Sequence, residues 1–141
     1  MNRVLIIEDD ATTRLQLGVV LTRGGFEPIA VGDADAAVAA LEAPDPPMLV
    51  VMGWEMAGAD GLEMLRWLRS RASGKSAWVL LLTGHSRRED EIAALDAGAD
   101  DYLVKPVDAS RLRAHLRAGA RRVAQFAAPG SGGDAPRRAA A

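Results

Sequence analysis

Four short apolar runs punctuate the chain: Val4-Leu5-Ile6-Ile7, Met48 to Met52, Trp78 to Leu82, and Tyr102-Leu103-Val104. Each is continuous rather than alternating, the signature of a strand buried on both faces in a parallel sheet. A weaker fifth run, Pro28-Ile29-Ala30-Val31, begins with a residue that cannot donate to a ladder and therefore belongs at a sheet edge. Helical periodicity fills the intervals. Ala34, Ala37, Val38 and Leu41 recur at i, i+3, i+4 and i+7, and Leu112, Leu116, Gly119, Ala120 and Val123 extend one stripe over three turns. Asp60 with Glu63 and Ser86 with Glu89 have capping-box spacing, and Asp108 is placed to cap the last helix. Gly24-Gly25, Gly74 and Gly98 sit where helices should stop.

Five strands alternating with five helices predict an α/β chain, (βα)5, with an open, doubly wound parallel five-stranded sheet and right-handed crossovers. The ordered domain is expected over residues 1–126. Residues 127–141, rich in Ala, Pro, Gly and Arg, have the composition of a flexible low-complexity tail or linker.

Composition narrows the chemistry. At 141 residues the chain suits one domain. It has no Cys and two His, which excludes disulfides, thiol nucleophiles and Cys-based zinc sites. The formal net charge of −2 argues against nucleic-acid binding by this domain. No apolar run approaches the ~18 residues of a membrane span and no signal peptide is evident, so a cytoplasmic location is expected. Lysine is rare beside arginine, only Lys75 and Lys105 being present, so a lysine at the end of an interior strand invites a chemical reason.

In an open α/β sheet, ligands bind beyond the carboxyl ends of the strands. The strands deliver Glu8-Asp9-Asp10, then Gly53-Trp54-Glu55, Thr83-Gly84-His85 and Lys105-Pro106 to that rim. Carboxylates, a hydroxyl and an ammonium converging there suit a divalent cation and a phosphoryl group. Singly each has a plain explanation: an acidic helix start, a strand-end hydroxyl, a solvated charge. Their joint occurrence at successive strand ends is the stronger signal. No Gly-x-Gly-x-x-Gly follows the first strand and no P-loop is present, which disfavours a nucleotide-binding enzyme.

These motifs, together with Asp60-Gly61, Ala97 to Tyr102 and Val104-Lys105-Pro106, resemble the receiver domain of two-component response regulators over residues 2 to 123. The resemblance implies the flavodoxin-like strand order 2-1-3-4-5. It implies a third-strand Asp that accepts a phosphoryl group from a histidine kinase. It also implies Mg²⁺ held by that Asp, by an acid of the Glu8-Asp9 pair and by the backbone carbonyl of Glu55. Thr83 and Lys105 then sense the phosphoryl group, Tyr102 is the aromatic that reorients with them, and the Lys105-Pro106 bond is cis. The face of the fourth helix, fifth strand and fifth helix would bind partners or make a homodimer; here it carries Asp100, Asp101, Tyr102, Arg111, Arg113 and Arg117. The partners implied are a histidine kinase or a downstream effector.

One departure outweighs the matches. The family template fits Asp9, position 53, Thr83 and Lys105 without a gap, and position 53 is glycine. Gly53 has no carboxylate to phosphorylate and no side-chain metal ligand. The expectation is an atypical, non-enzymatic receiver that requires no cofactor, binds Mg²⁺ weakly or not at all, and acts by docking. Lys105 should turn towards Glu8 or Asp9. The alternatives are a phosphorylation-driven switch with a substitute acceptor, Glu55 or Asp60 being nearest, and an engineered acceptor-null form. Ala57, where the family usually has Pro, is a second departure; it points to natural drift and is expected to loosen the loop.

Overall fold

The computed structural model describes residues 2–127. Strands β1 (Arg3–Ile7), β2 (Glu27–Val31), β3 (Leu49–Gly53), β6 (Trp78–Thr83) and β7 (Asp101–Val104) form one sheet. Its order is β2-β1-β3-β6-β7 and every pairing is parallel. Counting only these five, the order is the expected 2-1-3-4-5, with the Pro28 strand at an edge. Helices α1 (Ala11–Arg23), α2 (Ala34–Glu42), α3 (Gly61–Ser70) and α4 (Arg88–Ala97) make the four crossovers, and α5 (Ala109–Ala127) follows the last strand.

The sheet separates two cores. Leu5, Ile7, Val50, Met52, Val79 and Leu81 point to the side covered by α2, α3 and α4. Val4, Ile6, Leu49, Val51, Leu80 and Leu82 point to the side covered by α1 and α5. Period-two alternation thus loads both faces with apolar side chains, which is why the strand runs read as continuous.

The helix starts are acidic where the chain leaves the sheet. Asp10, Asp33, Asp60 and Asp108 each accept a backbone N–H of the first turn at 2.8 Å. Two expected boundary signals fail. Ser86 is not a cap: α4 starts after Arg87, without a side-chain bond, and the acids Glu89, Asp90 and Glu91 complement its amino end instead. Gly74 does not end α3, which stops at Ser70 with Arg71 as its cap. Asp60 caps α3 through Leu62 N–H, and Glu63 makes no return bond among the described residues. Gly98 does end α4, at φ 119°.

Two features were not expected. A two-residue hairpin, β4 (Glu55–Met56) with β5 (Ala59–Asp60), follows β3 and turns through Gly58 at φ 94°. The Ala57 carbonyl accepts the Ala34 N–H at 2.9 Å, so the loop is pinned to α2 despite the absent proline. The last helix continues through Ala127, one residue past the expected boundary, and the remainder of the expected tail, 128–141, lies outside the described residues.

Candidate functional site

The carboxyl ends of β1, β3, β6 and β7 meet at one rim, and the site is built from what each chain end can project there. After Ile7 the chain turns into α1 within three residues. Asp10 takes the cap position, and the Thr13 hydroxyl and N–H that it accepts hold its pKa below the ordinary value. Glu8 is turned inward, 4% exposed, and Asp9 outward. The Glu8 carboxylate is fully engaged: Oε1 accepts from Lys105 Nζ at 2.8 Å and Oε2 from the Asp10 N–H at 3.0 Å. Arg14 donates to the Glu8 carbonyl at 2.8 Å, which steadies the same turn.

Lys105 therefore points into the acidic rim, as expected, and Glu8 rather than Asp9 is its partner. The Lys105-Pro106 bond is cis. Thr83 is buried at the end of β6, where its Oγ1 accepts the His85 N–H at 3.1 Å.

Gly53 is buried at the end of β3. A Cβ on it would lie 3.4 Å from the Glu55 carbonyl oxygen, 3.6 Å from the Ile7 carbonyl oxygen and 3.7 Å from Glu8 Oε1. These are ordinary contacts, and the backbone there is not in the left-handed region. Nothing in the local geometry requires glycine. A side chain at this position would point between Glu8 and the Glu55 carbonyl, at the rim's centre.

The Glu55 side chain leaves this centre. It is exposed and pairs with His85 Nε2, while the His85 ring stacks on Trp54 with centroids 4.4 Å apart. His85 Nδ1 lies 3.5 Å from Asp90, and Tyr102 donates its hydroxyl to the His85 carbonyl at 2.6 Å. Burial pushes the Tyr102 pKa up, reinforced by the negative charges of Asp90, Glu91 and Glu55. Sequence reasoning placed His85 at a strand end and gave it no task. Its clamp on Trp54, Glu55 and Tyr102 involves residues far apart in the chain, and no local signal announces it.

The oxygen atoms near the rim are the Glu8 carboxylate, the Glu55 carbonyl and the outward Asp9. Among the described residues, no group of three or more His, Asp or Glu side chains is arranged to hold a metal ion.

The expected partner face is only partly assembled. Asp101 lies beside His115 of α5, with which it pairs, and Arg111 lies on the same flank of that helix. Asp100 is not a free acidic edge: it is bound by Arg69 of α3 at 2.7 Å and accepts the Val79 N–H at 2.8 Å. Arg113 packs its aliphatic stem against Gly24 at the end of α1, and Arg117, one turn on, shares that flank. Asp100, Arg113 and Arg117 thus fall outside the face; Ile92, Leu95 and Val104 supply its exposed apolar part.

A doubly wound parallel sheet with an acid, a hydroxyl and a lysine at its carboxyl rim defines a receiver-type α/β domain. The family model of the response regulator receiver domain matches residues 4–117, and the chain belongs to that family. It is 35% identical over 125 residues to the phosphate regulon transcriptional regulatory protein PhoB of Klebsiella pneumoniae, covering 89% of this chain and 54% of that protein. It is 37% identical over 131 residues to the KDP operon transcriptional regulatory protein KdpE of Escherichia coli strain K12, covering 92% and 56%. The chain thus spans about half the length of the curated relatives it matches. The Francisella response regulator 1452 receiver domain superposes with a TM-score of 0.80 at 24% identity, over 86% of this chain and 98% of that one. No helix among the described residues is long and apolar enough to cross a membrane.

Proposed function

We propose that this receiver domain is an atypical one: it is not phosphorylated at the usual position and works by docking to signalling proteins. The observation that supports this reading is Gly53. It occupies the position whose side chain would face Glu8 and the Glu55 carbonyl, and it supplies no carboxylate. The neighbouring charges are already balanced, since Lys105 neutralises Glu8. Mg²⁺ requires about six oxygens in octahedral array and gives up its water reluctantly. One engaged carboxylate, one carbonyl and an outward Asp9 do not fit it, so no step of the proposed function passes through a metal ion.

Glu55 and Asp60 are poor substitutes as acceptors. Glu55 is held by His85, and Asp60 is bound to the amino end of α3. The domain has no turnover of its own in this reading. Its partners are a histidine kinase or a downstream effector in the cytoplasm, and they meet the α4–β7–α5 face through Ile92, Leu95, Asp101, Tyr102, Val104 and Arg111. Neither nucleic acid nor membrane is a partner of this domain in this reading.

Incubation of the wild-type chain with acetyl phosphate and Mg²⁺, followed by intact mass, tests the reading. An unchanged mass is expected. A gain of one phosphoryl group would overturn it, and peptide mapping would then locate the substitute acceptor.

A further inference from the structure

Helix α4 is weakly committed to the core. Helix α3 buries Leu62, Met64, Leu65 and Leu68, whereas Ala94 is the only fully buried residue of α4. The large apolar side chains of α4, Ile92 and Leu95, stand 49% and 42% exposed. Burying an alanine methyl contributes little, so polar ties at its two ends weigh heavily in fixing where this helix lies. At the carboxyl end, Arg69 of α3 donates twice to the Gly98 carbonyl, at 2.7 Å and 3.0 Å. At the amino end, Arg87 supplies no side-chain cap. The tie there from outside the helix is His85, whose Nδ1 lies 3.5 Å from Asp90 in the first turn.

His85 is in turn placed by the segment after β3. Its Nε2 pairs with the Glu55 carboxylate of β4, and its ring stacks on Trp54 at an interplanar angle of 14°. Glu55 opens the Glu55–Asp60 hairpin, which is also pinned to α2 through the Ala57 carbonyl. The hairpin therefore reaches from the start of α2 to the His85 ring. We infer that the His85 imidazole couples this hairpin to α4, and so to the α4–β7–α5 face. It is a positioning residue. Displacing Glu55 or Trp54 frees the ring, the freed ring releases Asp90, and the first turn of α4 loses its outside tie, with Ile92 close behind it. A partner that grips the hairpin thereby resets the docking face.

The side chain, not the backbone, makes the link. The His85 N–H donates to the Thr83 hydroxyl and its carbonyl accepts from Tyr102, bonds that another residue at this position could also make. Reaching Trp54, Glu55 and Asp90 together takes a flat ring with a nitrogen on each flank. The coupling is independent of whether Gly53 prevents phosphorylation, because its contacts form with no side chain at position 53.

Amide hydrogen exchange of the full chain at one fixed pH, resolved by peptide, tests the inference. Glu55→Ala removes an exposed side chain that belongs to another element. It should speed exchange across α4 by about threefold to tenfold, the worth of one net polar tie, and leave β1 and β3 unchanged. His85→Ala should speed it at least as much. Adding Glu55→Ala to His85→Ala should then change nothing further, because both act through one contact. His85→Leu, which still packs on Trp54 but has no ring nitrogen, repeats the cycle if His85→Ala does not fold. Exchange in α4 that ignores Glu55→Ala would overturn the inference. So would a Glu55→Ala effect that persists undiminished without the imidazole, or a rise shared equally by β1 and β3.

Discussion

At the scale of single residues, the rim turns on which of two adjacent acids faces inward. Sequence shows only that Glu8 and Asp9 follow an interior strand. The choice is made by the three-residue turn into α1, which needs Asp10 at the cap and so turns Glu8 in and Asp9 out. The Glu8–Lys105 pair has one buried end and one end, the lysine, 36% exposed. Lys105→Met strands the Glu8 carboxylate and should lower stability by about 1–3 kcal/mol, since a buried acceptor loses its donor while water regains partial access. Adding Glu8→Gln should recover part of that loss in a double-mutant cycle read by urea denaturation. Tyr102 gives a pH signature. Its folded pKa lies above the unfolded value of about 10, so the folded state keeps its proton longer. That contribution is complete below the unfolded pKa and is lost as pH rises through the folded one. Stability measured from about pH 9 to about pH 11.5 should therefore fall in the wild type, and the fall should be shallower in Tyr102→Phe. An equal slope in both would place the alkaline loss elsewhere.

At the scale of elements, much was legible. Strands buried on both faces have nowhere to show polar alternation, so Val4–Ile7 and Trp78–Leu82 declared a parallel sheet before any topology was known. Pro28 marked an edge strand because it lacks an N–H. The hairpin at Glu55–Asp60 was not legible, because two-residue strands leave no periodicity. The start of α4 was misread at Ser86, since a cap residue in sequence does nothing when the backbone turns one residue later and three acids already serve the amino end. Asp100 was misassigned for a related reason: its partner Arg69 comes from α3, 31 residues earlier. Between α5 and the sheet the fit is close. A Cβ on Gly119 would lie 2.5 Å from the Trp78 ring. Gly119→Ala, which in an exposed helix would stabilise, should here cost about 1–3 kcal/mol through overpacking. A thermal midpoint above that of the wild type would show that the ring gives way.

At the scale of the whole molecule, the fold brings Glu8, Thr83, Lys105 and the Glu55 carbonyl to one rim whose centre, at Gly53, carries no side chain. Thr83, Lys105, Glu8 and the Glu55 carbonyl owe their positions to the ends of different strands, so losing one side chain leaves the others in place. Sequence register pointed to this, and the ordinary contacts around a Cβ at position 53 agree with it. An added carboxylate would stand close to Glu8 and compete for Lys105. Gly53→Asp should therefore be less stable than wild type without metal and should regain stability as Mg²⁺ is added, because binding to the folded state alone stabilises it by mass action. The wild type should show no such gain.

The most direct measurement of the central claim is intact mass for wild type and Gly53→Asp, side by side, after acetyl phosphate and Mg²⁺. Phosphoryl transfer depends mainly on positioning and charge neutralisation, and in the proposed reading Thr83 and Lys105 would supply both to a carboxylate placed at position 53. The account predicts an unmodified wild type and a Gly53→Asp chain that gains one phosphoryl group. A phosphorylated wild type, or a folded Gly53→Asp chain that stays unmodified, would contradict it.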